Sequence, residues 1–215
     1  RLVGTMRRTR EEVRIGIVGK YFDTGAFILA DSYLSVIEAI RHAAYPARQK
    51  PVIEWLSAEA FERNPRALRE LGRYHGIIVP GGFGSRGVEG KISAIRYVRT
   101  HRIPYLGLCY GMQLAIVEIL RSVKGYELAH TTEVDRETPH PVIDILPEQK
   151  KNMREKNFGA TMRLGAYPAE LSRGTIARRA YGREKILERH RHRYEVNPDY
   201  ISILEEKAGV IFSGV

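Results

Sequence analysis

Short apolar runs alternate with amphipathic segments along the first half of the chain. Residues 13–19, 51–56, 76–80 and 103–108 are runs rich in β-branched and apolar residues and bounded by turn-forming residues, which is typical of buried strands. Between them, apolar residues recur at the spacing of one helix face, which predicts three longer helices. The positions that define these helices are Val36, Ile37, Ala39, Ile40 and Ala43, then Val88, Ile92, Ile95 and Val98, and finally residues 112–120.

The order of these elements predicts the fold class. Asp31 or Ser32 can cap the first helix, and Ser57 can cap a short helix after the second strand. Strands that alternate with amphipathic helices indicate an α/β fold with a mainly parallel sheet and helices on both of its faces. In such sheets ligands bind outside the carboxyl ends of the strands, so the turns that follow the strands are where we look for chemistry.

The pattern loosens after residue 125. Prolines at 139, 141, 147 and 168 and the polar stretch 150–156 predict an excursion from the sheet, followed by strands near residues 174–178 and 193–196. Residues 161–166, with glycine and a basic side chain, suit a mobile lid, so we expect residues 148–163 to be poorly ordered or loosely held. If residues 189–193 formed a strand, Arg191 and Arg193 would share one face and His190 and His192 the other.

Two of the predicted strands end in glycine-containing segments. Residues 107–111 read G-L-C-Y-G, and small residues two before and two after Cys109 are what a sharp strand-to-helix turn needs. Such a turn places the thiol at a helix N-terminus, where the thiolate is favoured. Residues 81–84 read G-G-F-G, and glycines let successive amides point at a developing oxyanion. A buried structural cysteine and a plain glycine turn are the alternatives.

Composition narrows the class of protein. The 215 residues are 43% hydrophobic and 28% charged, which fits one globular domain, and no apolar run is long enough to cross a membrane. A single cysteine excludes an internal disulfide framework and indicates a reducing compartment, so we expect a cytoplasmic protein. The net charge of +10 makes nucleic-acid binding an alternative function to consider, but no nucleic-acid motif accompanies the basic clusters. A basic face that meets nucleotides or another domain is the preferred interpretation.

Several segments together resemble one family. P-G-G-F-G at residues 80–84, followed by G-L-C-Y-G-M-Q at residues 107–113, resembles the class I (triad) glutamine amidotransferases, which have a flavodoxin-like three-layer fold. The remaining segments are similar to the C-terminal glutaminase domain of CTP synthases, and the similarity runs from about residue 13 to the end. These further segments are residues 19–21, 31–39, 130–133, 138–143, 161–166 and 188–198.

The resemblance implies a role for particular residues. Cys109 would attack the side-chain amide of glutamine, and the backbone amides of Gly82 and Tyr110 would hold the oxyanion. Arg163 would belong to a lid at which GTP acts as an allosteric activator. No metal is implied for this domain. The implied glutamine contacts are Gly82, Tyr110, Gly111, Met112, Gln113, Glu133 and Arg193 or a neighbour in its cluster.

The resemblance also implies partners. Ammonia would pass to an N-terminal synthetase domain that uses ATP and Mg to aminate UTP to CTP, in a full-length enzyme that forms a homotetramer. Residues 1–12 would be the linker from that domain, and residues 13–215 the amidotransferase domain. Within this domain no cofactor is expected, and neither nucleic acid nor a membrane is an expected partner.

The family takes its catalytic histidine and glutamate from a His-Pro-Glu motif well downstream of a segment like residues 210–214. The seven histidines here lie in other contexts, so we assign no base and expect a domain truncated at its C-terminus. One alternative is an inactive glutamine-binding or regulatory module of the same fold. Another is a cysteine hydrolase of a different γ-glutamyl substrate, against which T-M-R-L-G and R-H-R-H-R-Y-E argue.

We therefore expect these 215 residues alone to release little or no ammonia from glutamine, because a thiolate without a proton donor does not readily expel an amine. A coupled ammonia assay measures this. Robust hydrolysis would refute the missing-base argument and would make His190 or His192 the first residue to mutate.

Overall fold

A computed structural model describes residues 11–19, 33–145 and 163–215. The chain divides into two compact units, Arg1–Glu118 and Ile119–Val215. The expected helix caps Asp31 and Ser32 lie outside the described residues, as do residues 20–21 of the family-like segments. No helix among the described residues is long and apolar enough to cross a bilayer.

The first unit is organised around a four-stranded parallel sheet with the strand order β2-β1-β3-β4. Its apolar runs are buried on both faces in the centre, as the sequence predicts for a parallel sheet. The α/β class with a mainly parallel sheet is therefore confirmed. The strands are β1 (Glu12–Gly19), β2 (Lys50–Ser57), β3 (Gly76–Val79) and β4 (Tyr105–Gly107).

Helices connect these strands in the predicted order. The Ser57 hydroxyl accepts a hydrogen bond from the Ala60 amide at 3.3 Å, which confirms the predicted cap. Tyr33 is the described residue that precedes the first helix, and its side chain does not accept a capping hydrogen bond. The helices are α1 (Leu34–Ala44), α2 (Ala58–Arg63), α3 (Val88–Thr100) and α4 (Tyr110–Arg121), with a 3₁₀ segment at Pro65–Arg73.

An ion pair joins α3 to α4. The Arg99 guanidinium donates Nε and one terminal nitrogen to the two carboxylate oxygens of Glu118 at 2.7 and 2.8 Å. The side chain of Glu118 is only 3% exposed, whereas that of Arg99 is 40% exposed. The two hydrogen bonds from Arg99 therefore neutralise the buried carboxylate of Glu118 on the helix that follows Cys109.

The second unit contains a three-stranded sheet, order β5-β6-β9, and a two-stranded antiparallel ribbon, β7-β8. In the three-stranded sheet, β6 pairs in parallel with β5 and antiparallel with β9. The elements are β5 (Ala129–Thr131), β6 (His140–Ile145), β7 (Arg163–Glu170), α5 (Ile176–Tyr181), β8 (Lys185–His192), β9 (Tyr194–Val196), a 3₁₀ turn at Pro198–Tyr200 and α6 (Ile201–Ala208).

Two sequence predictions are corrected here. The strand expected near residues 174–178 is wrong: Thr175 accepts a hydrogen bond from the Arg178 amide at 3.2 Å and caps α5 instead. The loosely held stretch expected at residues 148–163 lies outside the described residues except for its last member. Arg163 begins β7 and pairs with His192 of β8, so the expected looseness is wrong at that position.

The alternation predicted for residues 189–193 holds only in part. His190 and His192 are half-buried and Arg191 is exposed, as alternate faces of β8 require. The strand ends at His192, however, and Arg193 occupies a bend before β9, where it is half-buried. Arg193 therefore does not share the exposed face of Arg191.

Replacing Arg99 by methionine should destabilise the domain by about 1–3 kcal/mol, because the carboxylate of Glu118 would stay buried without its partner. Urea unfolding followed by circular dichroism measures the loss. Arg96→Met removes an exposed arginine from the same helix and should cost less than about 0.5 kcal/mol. Equal stability of the two variants would show that the ion pair contributes nothing.

Candidate active site

Cys109 occupies the turn between β4 and α4. Its φ angle is +51°, in the left-handed region that residues other than glycine seldom adopt, and its side chain is exposed. The Gln113 amide donates to the Cys109 carbonyl at 3.1 Å, so the cysteine already belongs to the first turn of the helix. A strained non-glycine residue that presents a thiol at a helix N-terminus fits a nucleophile better than a structural cysteine.

The two glycines that flank Cys109 are required by close backbone approach. A side-chain carbon at Gly111 would lie 1.9 Å from the carbonyl oxygen of Val79, at the end of β3. A side-chain carbon at Gly107 would lie 2.6 Å from the Met112 amide nitrogen. Neither distance is compatible with a Cβ atom, so the small residues predicted by the G-x-C-x-G spacing are confirmed by the geometry.

The segment 81–84 lies beside this turn. A side-chain carbon at Gly81 would be 3.6 Å from the Cβ of Cys109, and one at Gly82 would be 3.8 Å from Cδ1 of Tyr110. The Tyr110 hydroxyl donates to the Gly84 carbonyl at 2.9 Å, which ties the segment to α4. The side chain of Tyr110 is buried, so only its backbone amide is placed to serve the cysteine.

The start of α4 carries the other glutamine-contact candidates of this unit. Met112 is exposed and Gln113 is buried. Tyr105 of β4 donates its hydroxyl to the Gly111 carbonyl at 2.8 Å. Burial raises the pKa of Tyr105 far above its ordinary value, and the charge of Glu118 raises it further. The hydroxyl therefore stays protonated and keeps this hydrogen bond over the whole working pH range.

In the second unit, Glu133 and Arg193 both lie close enough to Tyr194 to affect its pKa. The pKa of Tyr194 is raised first by burial and next by the negative charge of Glu133, while Arg193 opposes the shift. The backbone amide of Glu133 donates a hydrogen bond to the Thr131 hydroxyl at 3.2 Å, and this bond positions the residue. An acidic and a basic side chain near one phenol can recognise the ammonium and carboxylate of an amino acid.

Arg163 has partners within the second unit. Its Nε lies 3.3 Å from a carboxylate oxygen of Glu195, and its guanidinium lies 5.1 Å from the ring centroid of Tyr167. The same carboxylate lies 3.6 Å from Nδ1 of His192. Arg163 is therefore held on the ribbon by a charge and an aromatic face.

The histidines of β8 have backbone partners. Nδ1 of His190 lies 2.9 Å from the Glu188 carbonyl, and Nδ1 of His192 lies 3.1 Å from the Tyr194 carbonyl. Burial lowers the pKa of His192 below its ordinary value of 6.5, although Glu195 opposes the shift. His192 is therefore neutral at pH 7. Among the described residues, no group of three or more His, Cys, Asp or Glu side chains could hold a metal ion.

Comparison with known proteins assigns the family. A family model described as "Glutamine amidotransferase class-I" matches residues 28–214. The chain belongs to the class-I glutamine amidotransferase family.

Curated relatives narrow the similarity. The chain is 51% identical to a CTP synthase of Thermococcus kodakarensis over 214 residues, which cover 100% of this chain and 38% of that protein. It is 53% identical to a CTP synthase of Methanothrix thermoacetophila over 217 residues, which cover 99% of this chain and 38% of that protein. The chain thus spans well under half the length of these relatives.

A solved structure shows the same fold. The structure described as the glutaminase domain of Trypanosoma brucei CTPS with bound acivicin superposes with a TM-score of 0.84 at 37% identity. The match covers 94% of this chain and 75% of that chain. The predicted fold and the resemblance to the glutaminase domain of CTP synthases are confirmed.

Sequence reasoning missed several residues of this amidotransferase site. Gly81, which the sequence analysis named only as part of the segment 81–84, is the glycine that lies against Cys109. Tyr105 holds the turn through Gly111, and Lys91 is buried with its ammonium 5.3 Å from the ring centroid of Tyr110. Only Lys91 left a signal, since it is a charged residue on the apolar face of a predicted helix.

Cys109 should be alkylated by iodoacetamide faster than an ordinary thiol, with an apparent pKa below the free value of about 8.5, because the helix N-terminus favours the thiolate. The measurement is a pH–rate profile of labelling, with N-acetylcysteine as the reference thiol. Labelling that occurs only after denaturation would show that the cysteine is structural.

Proposed function

We propose that this chain supplies the nucleophile, Cys109, with which the full-length protein hydrolyses L-glutamine to glutamate and ammonia. The observation that carries the proposal is the exposed thiol at a positive φ angle, set between a helix N-terminus and the glycines of residues 81–84. The name of the solved neighbour, a glutaminase domain with bound acivicin, supports the same activity.

The reaction follows from these groups. The Cys109 thiolate attacks the side-chain carbonyl carbon of glutamine, and the new C–S bond leaves a negative charge on the carbonyl oxygen. Backbone amides of Gly82 and Tyr110 donate to that oxyanion. Collapse breaks the C–N bond, and the nitrogen leaves as ammonia with the proton that the thiol had given up to a general base, for which we assign no residue in this chain. Water then attacks the thioester, and the thiol and glutamate are released.

Recognition of the amino-acid end of glutamine falls to the remaining candidates. Gly111, Met112 and Gln113 form the first turn of α4 beyond the nucleophile, and Glu133 and Arg193 surround Tyr194 in the second unit. A glutamate side chain suits the α-ammonium group of the substrate, and an arginine suits its α-carboxylate. Both would hold glutamine by its α-ammonium and α-carboxylate charges, which carboxamides that are not amino acids lack.

We further propose that the ammonia serves the amination of UTP to CTP, driven by ATP and Mg in a separate synthetase domain of a longer, cytoplasmic, homotetrameric protein. The relatives of this chain are named CTP synthase, and the chain spans 38% of their length. GTP would activate hydrolysis by acting on Arg163, whose guanidinium a nucleotide phosphate would draw away from Glu195.

An inactive glutamine-binding module would share this fold. The backbone of Cys109 favours the enzyme, because a positive φ angle at a non-glycine residue costs free energy that mere binding does not require.

In the full-length protein, Cys109→Ala should lower glutamine-dependent CTP formation by about a thousandfold or more. CTP formation from added ammonium chloride should stay unchanged, because ammonia bypasses the nucleophile. Both rates are followed by the absorbance change on conversion of UTP. If the variant kept its glutamine-dependent rate, Cys109 would not be the nucleophile.

Arg163→Ala in the full-length protein should reduce GTP activation about fivefold or more while leaving basal hydrolysis largely intact. Ammonia release with and without GTP measures this. Arg173→Ala, which removes an exposed arginine of the second unit that lies outside the 189–193 cluster, is the control and should respond to GTP like the parent. Unchanged activation in Arg163→Ala would remove this residue from the switch.

A further inference from the structure

Lys91 places a charged group where a helix normally buries apolar side chains. Its side chain is only 2% exposed, and its neighbours on the same helix face, Val88, Ile92 and Ile95, are core residues. Burying an ammonium group costs free energy unless the surroundings compensate it. Lys91 is also the fourth residue of α3, near the helix end whose dipole disfavours a cation. Neither core packing nor helix electrostatics accounts for a lysine here.

The ammonium of Lys91 lies against the segment 81–84. Its Nζ is 5.3 Å from the ring centroid of Tyr110, the residue that follows the nucleophile. A side-chain carbon at Gly82 would lie 3.7 Å from that Nζ and 3.8 Å from the Tyr110 ring. The charge and the ring therefore support one side of the backbone of Gly82, and the hydroxyl of Tyr110 holds Gly84.

The thiol of Cys109, in contrast, is a place where a nearby positive charge is favourable. Cys109 lies next to Gly81, and both the thiolate and the oxyanion carry negative charge during acyl transfer. A cation that is shielded from water acts over several ångströms with little screening, so its potential extends through the glycine segment. A fixed charge of this kind needs no reorganisation as negative charge develops.

We propose that Lys91 is a positioning residue of the amidotransferase site, whose ammonium holds the segment 81–84 against Tyr110 and favours negative charge at Cys109. The proposal rests on the proposed function, in which Cys109 attacks glutamine.

Two carboxylates close to α3 have partners of their own. On α2, which packs against α3, Glu59 pairs with Arg86 at 2.6 Å and Glu62 accepts a hydrogen bond from a backbone amide of α3 at 3.0 Å. Glu89 lies on α3 itself. Tyr110 is the titratable group that α4 presents to Lys91.

The test compares four variants of the full-length protein: Lys91→Met and Lys91→Gln, which keep side-chain length without charge, Lys91→Arg, which keeps the charge, and Lys124→Met, which removes an exposed lysine. Iodoacetamide labelling of Cys109 is followed by peptide mass spectrometry across pH, and glutamine hydrolysis is measured at steady state. Thermal unfolding identifies the variants that fold.

The neutral variants should move the midpoint of labelling to higher pH by about one unit. They should also lower kcat roughly tenfold, while KM for glutamine changes less than about twofold. Lys91→Arg should recover kcat to within about threefold of the parent, and Lys124→Met should match the parent.

A folded neutral variant with an unchanged labelling profile and kcat would overturn the proposal, as would a folded Lys91→Arg variant that is as impaired as Lys91→Met. If Lys91→Met does not fold, Lys91→Gln decides, and failure of both to fold would make Lys91 a residue of the core alone. Failure of the proposed function is distinguishable: the parent would label at low pH without hydrolysing glutamine, and the labelling arm would still test Lys91.

Discussion

The contact between Gly111 and the carbonyl oxygen of Val79 is the constraint on which the site depends. Because no side chain fits between them, α4 can start directly against the end of β3, and the backbone must turn sharply at Cys109. That turn sets the positive φ angle of the cysteine and exposes its thiol. The parallel sheet supplies the rest, since β3 and β4 are neighbours and their carboxyl ends bring residues 81–84 beside the turn.

Hydrogen bonds and charges from the surrounding residues then fix this arrangement. Tyr105 and Tyr110 each donate a hydroxyl to a glycine carbonyl, one on the helix and one on the segment 81–84. The Arg99–Glu118 ion pair connects the C-terminal part of α4 to α3. A reactive thiol on a strained residue is thus carried by rigid elements, which is the support that a preorganised site requires.

Local pattern was sufficient to predict the first unit. Four apolar runs gave the four strands to within a few residues at each end, and G-x-C-x-G gave the turn, because the steric need for glycine is written in the sequence itself. The ribbon β7-β8 was harder to predict. Pro168 lies within β7, and it is tolerated there because, among the described residues, each strand of the ribbon pairs with one other strand only. Thr175 and Gly182 bracket α5 as cap residues, and both are helix signals that the sequence itself contains.

Lys91 left a signal in the sequence, as a charged residue on an apolar helix face. Its contact with Tyr110 and the hydrogen bond from Tyr105 to Gly111 depend on how the elements pack, which the residue pattern does not specify. The central claim, that Cys109 forms a covalent bond with glutamine, is tested most directly by acid quenching the full-length protein during turnover and mapping the adduct by mass spectrometry. The account predicts a γ-glutamyl thioester on the peptide that contains Cys109. A glutamyl group on any other side chain, with Cys109 unmodified, would contradict it.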